Sequence, residues 1–202
     1  MAIRDVNIGK KMAINIYQWC RDMCSRILVN GPDIKLGGPG QIVQIDESVF
    51  THQGKNNHGH ALPPVWVFGM VDTSQVPALG YMEIVDQRDA ATLLPIIRDH
   101  VLPGTTIWSD MWAAYNGIRA LPGVAGHDRV NHSIQFVNPV SGAHTNMIES
   151  YWHRVKLTIN TMNGVRRESL PSYLDEFMWR ERYGKDALTN LIAQIAQKHP
   201  LP

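Results

Sequence analysis

Long apolar runs are missing from this chain: none approaches the roughly 20 residues that a membrane-spanning helix requires. The first residues, MAIRDVNIGKK, also lack the apolar segment of a secretory signal, so the expectation is a protein that stays inside a cell. Cysteine is scarce. Cys20 and Cys24 are the two present, too few for a disulfide scaffold, and four apart on an expected helix they read as core packing. The nine histidines come with no CxxC pair and no HExxH helix, which argues against the common zinc frameworks. Charge is scarce as well: 18% of residues are charged and the net charge is +1, so any nucleic-acid surface must be local. Internal repeats and low-complexity segments are absent. What is left is 202 residues, 44% of them apolar, enough for one globular core.

Along that chain, Ala13–Val29 places Ile16, Trp19, Met23 and Ile27 at helical spacing and predicts an amphipathic helix. Asn30–Gly40 is broken by four glycines and two prolines and reads as a loop. Gln41–Val49, Val65–Asp72 and Tyr81–Val85 follow as three strands with no helix between them, which suggests an antiparallel meander. Asp89 is a plausible N-cap for a helix over Ala90–Val101, although Pro95 argues for a start nearer Leu94. A short strand over Thr105–Ser109, a short helix over Trp112–Leu121 and a strand over His127–Val137 come next. Met147–Met162 carries Ile148, Trp152, Val155 and Ile159 on one helical face, and Ser172–Tyr183 and Asp186–Gln197 form a last helical pair. The element order predicts an α/β fold with a mixed central sheet and flanking helices, like that of ribonuclease H.

Three acidic residues end up in informative places. Asp46 lies at the end of the strand QIVQIDESVF, Asp110 follows the strand TTIWS, and Glu149 sits in the first turn of the helix HTNMIESYWHRVK. Phosphodiester chemistry with two magnesium ions about 3.5–4 Å apart needs two or three carboxylates delivered from rigid elements. Each residue also has a local explanation. Asp46 and Glu47 could be strand-end charges, Asp110 could cap the helix after it, and Glu149 fits a capping-box spacing with Asn146. Glu149, His153 and Lys156 form a polar line along one helix, suited either to solvent or to a DNA phosphate. His132 and His144 read as hydrogen-bonding partners near the carboxylates or as DNA-phosphate contacts.

The segments GGPGQIVQIDES, WVFGMVD, LLPIIRDHVLPGTTIWSDMWAAY, VNHSIQFVNPVSGAHTNMIESYWHRVK and YLDEFMWRERYG, in that order, resemble the catalytic domain of DDE transposases of the Merlin DNA-transposon superfamily and related bacterial insertion-sequence transposases. The resemblance runs from about Trp19 to Gly184 and implies a ribonuclease-H-like fold with two Mg²⁺ or Mn²⁺ ions held by Asp46, Asp110 and Glu149. Asn146 matches a position that some relatives use in the active site, and Lys156 matches the lysine that follows the third acidic residue. Lys55, Arg154 and His153 join Lys156 as expected DNA contacts. The family typically begins with a zinc-ribbon or similar recognition segment, and this chain starts too late to contain one. In the loop after IDES, usually basic and of the KYNRGR kind, His58 and His60 stand where arginines are expected.

The resulting expectation is a helical segment over residues 1–36, a transposase catalytic domain over 37–184 and a C-terminal helix over 185–202. Its partners would be transposon-end and target DNA, with a homo-oligomer forming on DNA and no membrane involved. Its place would be the nucleus in a eukaryote, or the cytoplasm and nucleoid in a bacterium. The alternatives are a truncated or domesticated relative that binds without cutting, and a nuclease of the same fold that cuts without joining.

Overall fold

The structure, a computed structural model, describes residues 9–50, 63–131, 137–162 and 164–198. The chain divides into two compact units, Ile34–Ser169 and a helical unit made from the two ends of the chain.

The larger unit is built on a five-stranded sheet. Its strands are β2 (Ile42–Phe50), β3 (Val65–Asp72), β4 (Leu79–Val85), β6 (Thr105–Ser109) and β7 (Val124–Arg129), in the order β4-β3-β2-β6-β7. The short β1 (Leu36–Gly37) and β5 (Val101–Leu102) pair separately, in parallel. β2, β3 and β4 form the expected antiparallel meander, whereas β6 pairs parallel to β2, and β7 parallel to β6. Parallel strands need a crossover, and the helix α2 (Ala90–His100) supplies it between β4 and β6. This mixed sheet with flanking helices is ribonuclease-H-like.

The two faces of the sheet bury different partners. Val43, Ile45, Phe68, Met70 and Ile107 pack on one side with Leu93 and Ile97 of α2 and with Tyr115 and Ile118 of the 3-10 helix Ala113–Ala120. The other face carries α3 (Asn146–Thr161), whose Ile148, Tyr151, Trp152 and Val155 are buried. Two glycines make that approach possible. A Cβ on Gly69 would meet the Trp152 ring at 2.5 Å, and one on Gly80 would run into the Tyr151 ring. A strand glycine is often the mark of such a close approach.

The helical unit consists of α1 (Lys10–Asn30), α4 (Leu170–Tyr183) and α5 (Ala187–Lys198) around Met23, Cys24, Ile27, Trp179 and Leu191. Residues 170–183 pack on the N-terminal helix. Only the second half of the expected α1 stripe is buried. Met23 and Ile27 lie inside, while Ile16 and Trp19 are 47% and 52% exposed. Cys24 is a core residue, its thiol pushed up to about 12 chiefly by burial.

Several boundaries differ from the sequence pattern. α2 begins at Ala90, because Asp89 accepts from the Thr92 N–H at 2.9 Å, and it continues through Pro95. The stretch after Asp110 is a 3-10 helix, and β7 starts at Val124 and ends at Arg129, upstream of the expected Val137 end. Lys55, His58, His60 and His132 lie outside the described residues. No helix among the described residues is long and apolar enough to cross a membrane.

Candidate active site

Register brings the first two carboxylates together. Ile42, Val43 and Gln44 of β2 stand opposite Thr106, Ile107 and Trp108 of β6. Carrying that parallel register two residues further puts Asp46, midway along β2, opposite Asp110 at the carboxyl end of β6, on strands about 4.8 Å apart. The carboxyl ends of parallel strands are where open α/β sheets bind ligands. Asp46 is half-buried, and Trp152 Nε1 of α3 donates to its Oδ2 at 3.2 Å. The Asp46 carboxyl is held up at about 7, mainly by burial and then by the like charges of Glu47 and Asp110, against the opposing hydrogen bond from Trp152.

Glu47 projects to the opposite face of the sheet, where Tyr115 Oη donates to its Oε2 at 2.6 Å. Its other oxygen, Oε1, is buried without a hydrogen-bond partner. Burial raises the Glu47 carboxyl too, and burial beside Glu47 holds the Tyr115 phenol well above its usual range. Asp110 Oδ1 accepts from the Trp112 N–H at 2.9 Å, so the local capping role foreseen for this residue is also in use. Among the described residues none of the three carboxylates is in a salt bridge. Two half-buried, like-charged carboxylates on one face, Asp46 and Asp110, suit a hard divalent cation, while Glu47 on the other face has the positive charge of Arg88 nearby.

The third carboxylate stands apart in this conformation. Glu149 is exposed in the first turn of α3, and the Thr145 hydroxyl donates to its Oε1 at 2.9 Å. No three His, Cys, Asp or Glu side chains among the described residues lie close enough to share one metal ion. Asn146 is exposed, and its backbone N–H points to His144 Nδ1 at 3.4 Å. His144 sits edge-on to Trp108 and 3.3 Å from the Gln44 amide. His153 is exposed, Lys156 Nζ lies 5.5 Å from the Phe50 ring centre, and Arg154 donates to the carbonyl of Ala78 at 3.0 Å.

Two residues of this region escaped the sequence reading. Gln44 is fully buried in β2, and its Oε1 accepts from the Met147 and Ile148 N–H groups at 2.9 and 3.1 Å. It satisfies two orphan donors at the start of α3 from outside the helix. The second is His127 of β7. Ser109 Oγ gives its one proton to the Asp110 carbonyl at 2.7 Å, so it accepts from His127 Nε2 at 2.9 Å. Both residues were visible only as polar positions in otherwise apolar strands.

Burial, with Arg129 and Arg119 nearby, lowers the His127 imidazole from 6.5 to about 4. A base with a lowered folded value contributes stability that is complete above 6.5 and is lost as pH falls toward 4. We therefore expect the melting temperature of wild type relative to His127→Gln to drop by several degrees across that window. Thermal melts at half-unit pH steps check this; a constant difference between the two proteins would contradict it.

The mixed five-stranded sheet with its flanking helices defines a ribonuclease-H-like domain. The chain belongs to the ISXO2-like transposase domain family, which matches residues 36–182. An uncharacterized transposase-like protein of Haemophilus influenzae is 32% identical over 100 residues, spanning 50% of this chain and 78% of that relative. Among solved structures, the cryo-EM structure of the simian T-cell lymphotropic virus intasome with PP2A regulatory subunit B56 gamma is similar over 89% of this chain. It shows a TM-score of 0.47 and 18% identity, and the chain spans 63% of that structure's chain.

Proposed function

We propose that this domain catalyses metal-dependent cleavage of DNA at transposon ends and transfer of the freed strand to target DNA. The observation that carries this reading is the pair Asp46–Asp110, half-buried side by side where the β2–β6 register continues and in no salt bridge among the described residues, in a transposase-family domain. Asp46, Asp110 and Glu149 would hold two Mg²⁺ or Mn²⁺ ions. When bound, these would supply activation of the attacking oxygen and stabilisation of the leaving one.

The protein's own groups orient that chemistry. Trp152 fixes one Asp46 oxygen, and the Tyr115–Glu47 bond ties the turn after Asp110 to β2. Glu149 joins the pair by releasing Thr145 and changing rotamer on a helix already docked through Gln44. Lys156 and His153, further along α3, are suited to DNA phosphates, with Lys55 and His132 as additional candidates from the sequence. Bringing two transposon ends together calls for at least a dimer on DNA. The motifs shared with Merlin-type elements support placing the chain near that superfamily.

A pre-cut transposon end, an unspecific target duplex and Mn²⁺ form the decisive assay. Wild type should join the end to the target, and Asp110→Asn should lose at least a thousandfold in rate, since removing one metal-ligand carboxylate disables the charge stabilisation. Cutting without joining would identify a nuclease of the same fold. Neither reaction, together with retained DNA binding, would identify a relative that binds without catalysis.

A further inference from the structure

A second polar site lies one strand over from the acidic pair. Ser109, the last residue of β6, is registered opposite Arg129, the last of β7, so Asp110 just past β6 has Arg129–Val130 on one side and, by continuation of the β2 register, Asp46 on the other, across about 10 Å of sheet. There, on the side of the 3-10 helix, opens a cleft of about 460 Å³. Arg119, Arg129, Asn116 and Met111 line it, with His127 and Asp128.

The two arginines are held by neutral partners. Arg119 donates through Nε and Nη2 to the His127 carbonyl at 3.4 and 3.2 Å, and Arg129 Nη1 donates to Asn116 Oδ1 at 2.9 Å. Among the described residues neither guanidinium is in a salt bridge, and the Asn116 amide nitrogen has no acceptor. The fork of each arginine has five N–H groups, so most of the donors here remain unused. Asp128 supplies the one carboxylate of the cleft, which leaves the two arginines in excess. Unused donors and positive charge in a concave site select an anion with several acceptor oxygens, and an arginine pair suits phosphate above all.

We propose that this cleft grips a backbone phosphate of the DNA strand that crosses the sheet at Asp46 and Asp110, through Arg119, Arg129 and the Asn116 amide. The proposal rests on the function proposed above and names where the strand is held beside the reacting bond. His127 then has a clear part: its imidazole stays neutral beneath the arginines, and its Nε2–H bond to Ser109 couples the cleft to the Asp110 backbone. Contacts of this kind set register on DNA and carry no sequence information.

The informative substitution is Asn116→Asp. It keeps an oxygen for Arg129 to bond, so a purely structural role would be preserved, but it adds a negative charge where the phosphate would lie. DNA binding is measured with EDTA present, over a series of salt concentrations, for wild type, Asn116→Asp, Arg129→Gln and the surface control Arg98→Gln. Asn116→Asp should weaken binding roughly tenfold with an unchanged melting temperature. Arg129→Gln should shallow the dependence of log K on log salt by about 0.9, the share of one phosphate, and Arg98→Gln should leave it as in wild type. Wild-type affinity and slope in both cleft variants, from a protein that still joins ends, would overturn the cleft and leave the catalytic reading standing. If wild type neither bound DNA nor cut it, both readings would fall together. Saturable binding of a deoxynucleoside monophosphate that Asn116→Asp abolishes, with DNA binding untouched, would overturn the proposal in favour of a free-nucleotide site.

Discussion

Asp46→Asn should leave the metal-free protein more stable than wild type at neutral pH, while removing its metal-dependent activity. The Asp46 carboxyl titrates at about 7 in the folded chain against 3.8 as a free group, so between those values the folded state holds a proton that the unfolded state has lost. Folding then weakens as pH rises through this window, and above 7 the whole penalty is present. Three units correspond to about 4 kcal/mol as an upper bound, and with the site's partial solvation roughly 2 kcal/mol is the realistic size. Asparagine is isosteric, carries no charge and can still accept from Trp152. Melting in EDTA at pH 7.5 should therefore rise by roughly 4–8 °C in the variant, and the gain should vanish toward pH 4. A variant that melts lower than wild type at pH 7.5 would show that the carboxylate is not strained. The His127 contribution runs the opposite way across the same pH range, so each variant must be compared with wild type at every pH.

The second large effect is expected on the strand beside the acidic pair. Gly69 is the cross-strand partner of Asp46, and a methyl there would sit 2.5 and 2.6 Å from two carbons of the Trp152 ring, where about 3.5–4.0 Å is the comfortable distance. The ring has little room to yield. It stands edge-on to Phe50 and to Tyr151, each with centroids 6.1 Å away, while its Nε1 holds Asp46. Gly69→Ala should thus destabilise the protein by about 2–3 kcal/mol and pull Trp152 off the carboxylate. Strand joining should fall well beyond what Trp152→Phe costs, since that change removes the hydrogen bond and part of the ring but forces nothing out of place. Pairing Gly69→Ala with Trp152→Leu should recover much of the stability and none of the activity, a coupling that a double-mutant cycle measures. Additive effects would mean that the methyl is accommodated elsewhere.

Much of this architecture is legible in the residues themselves. The apolar runs that carry Asp46 and lead into Asp110 are adjacent strands, because a central strand is a short apolar run and the sheet register does the rest. The α3 stripe works for the same reason: Ile148, Trp152 and Val155 are buried as their spacing demands. Local pattern fails where the partner decides the outcome. Gln44 reads as a polar strand position, yet it is fully buried because a helix begins directly above it. Ile16 and Trp19 share a stripe with Met23 and Ile27 but find nothing among the described residues to cover them. Tyr151, beside the stripe, is buried because Gly80 leaves a hollow for its ring. Glu149 is exposed and bonded to Thr145, a placement that helical spacing does not report.

The parallel pairing of β2 with β6 also governs when the acidic pair can exist. Its members are roughly sixty residues apart in sequence and meet only through a non-local strand contact, the slowest kind to form. A chain still emerging from the ribosome, or one cut between β4 and β6, has both aspartates and no pair. Assembly of the pair is thereby tied to completion of the sheet, and a cut between β4 and β6 leaves one aspartate on each fragment.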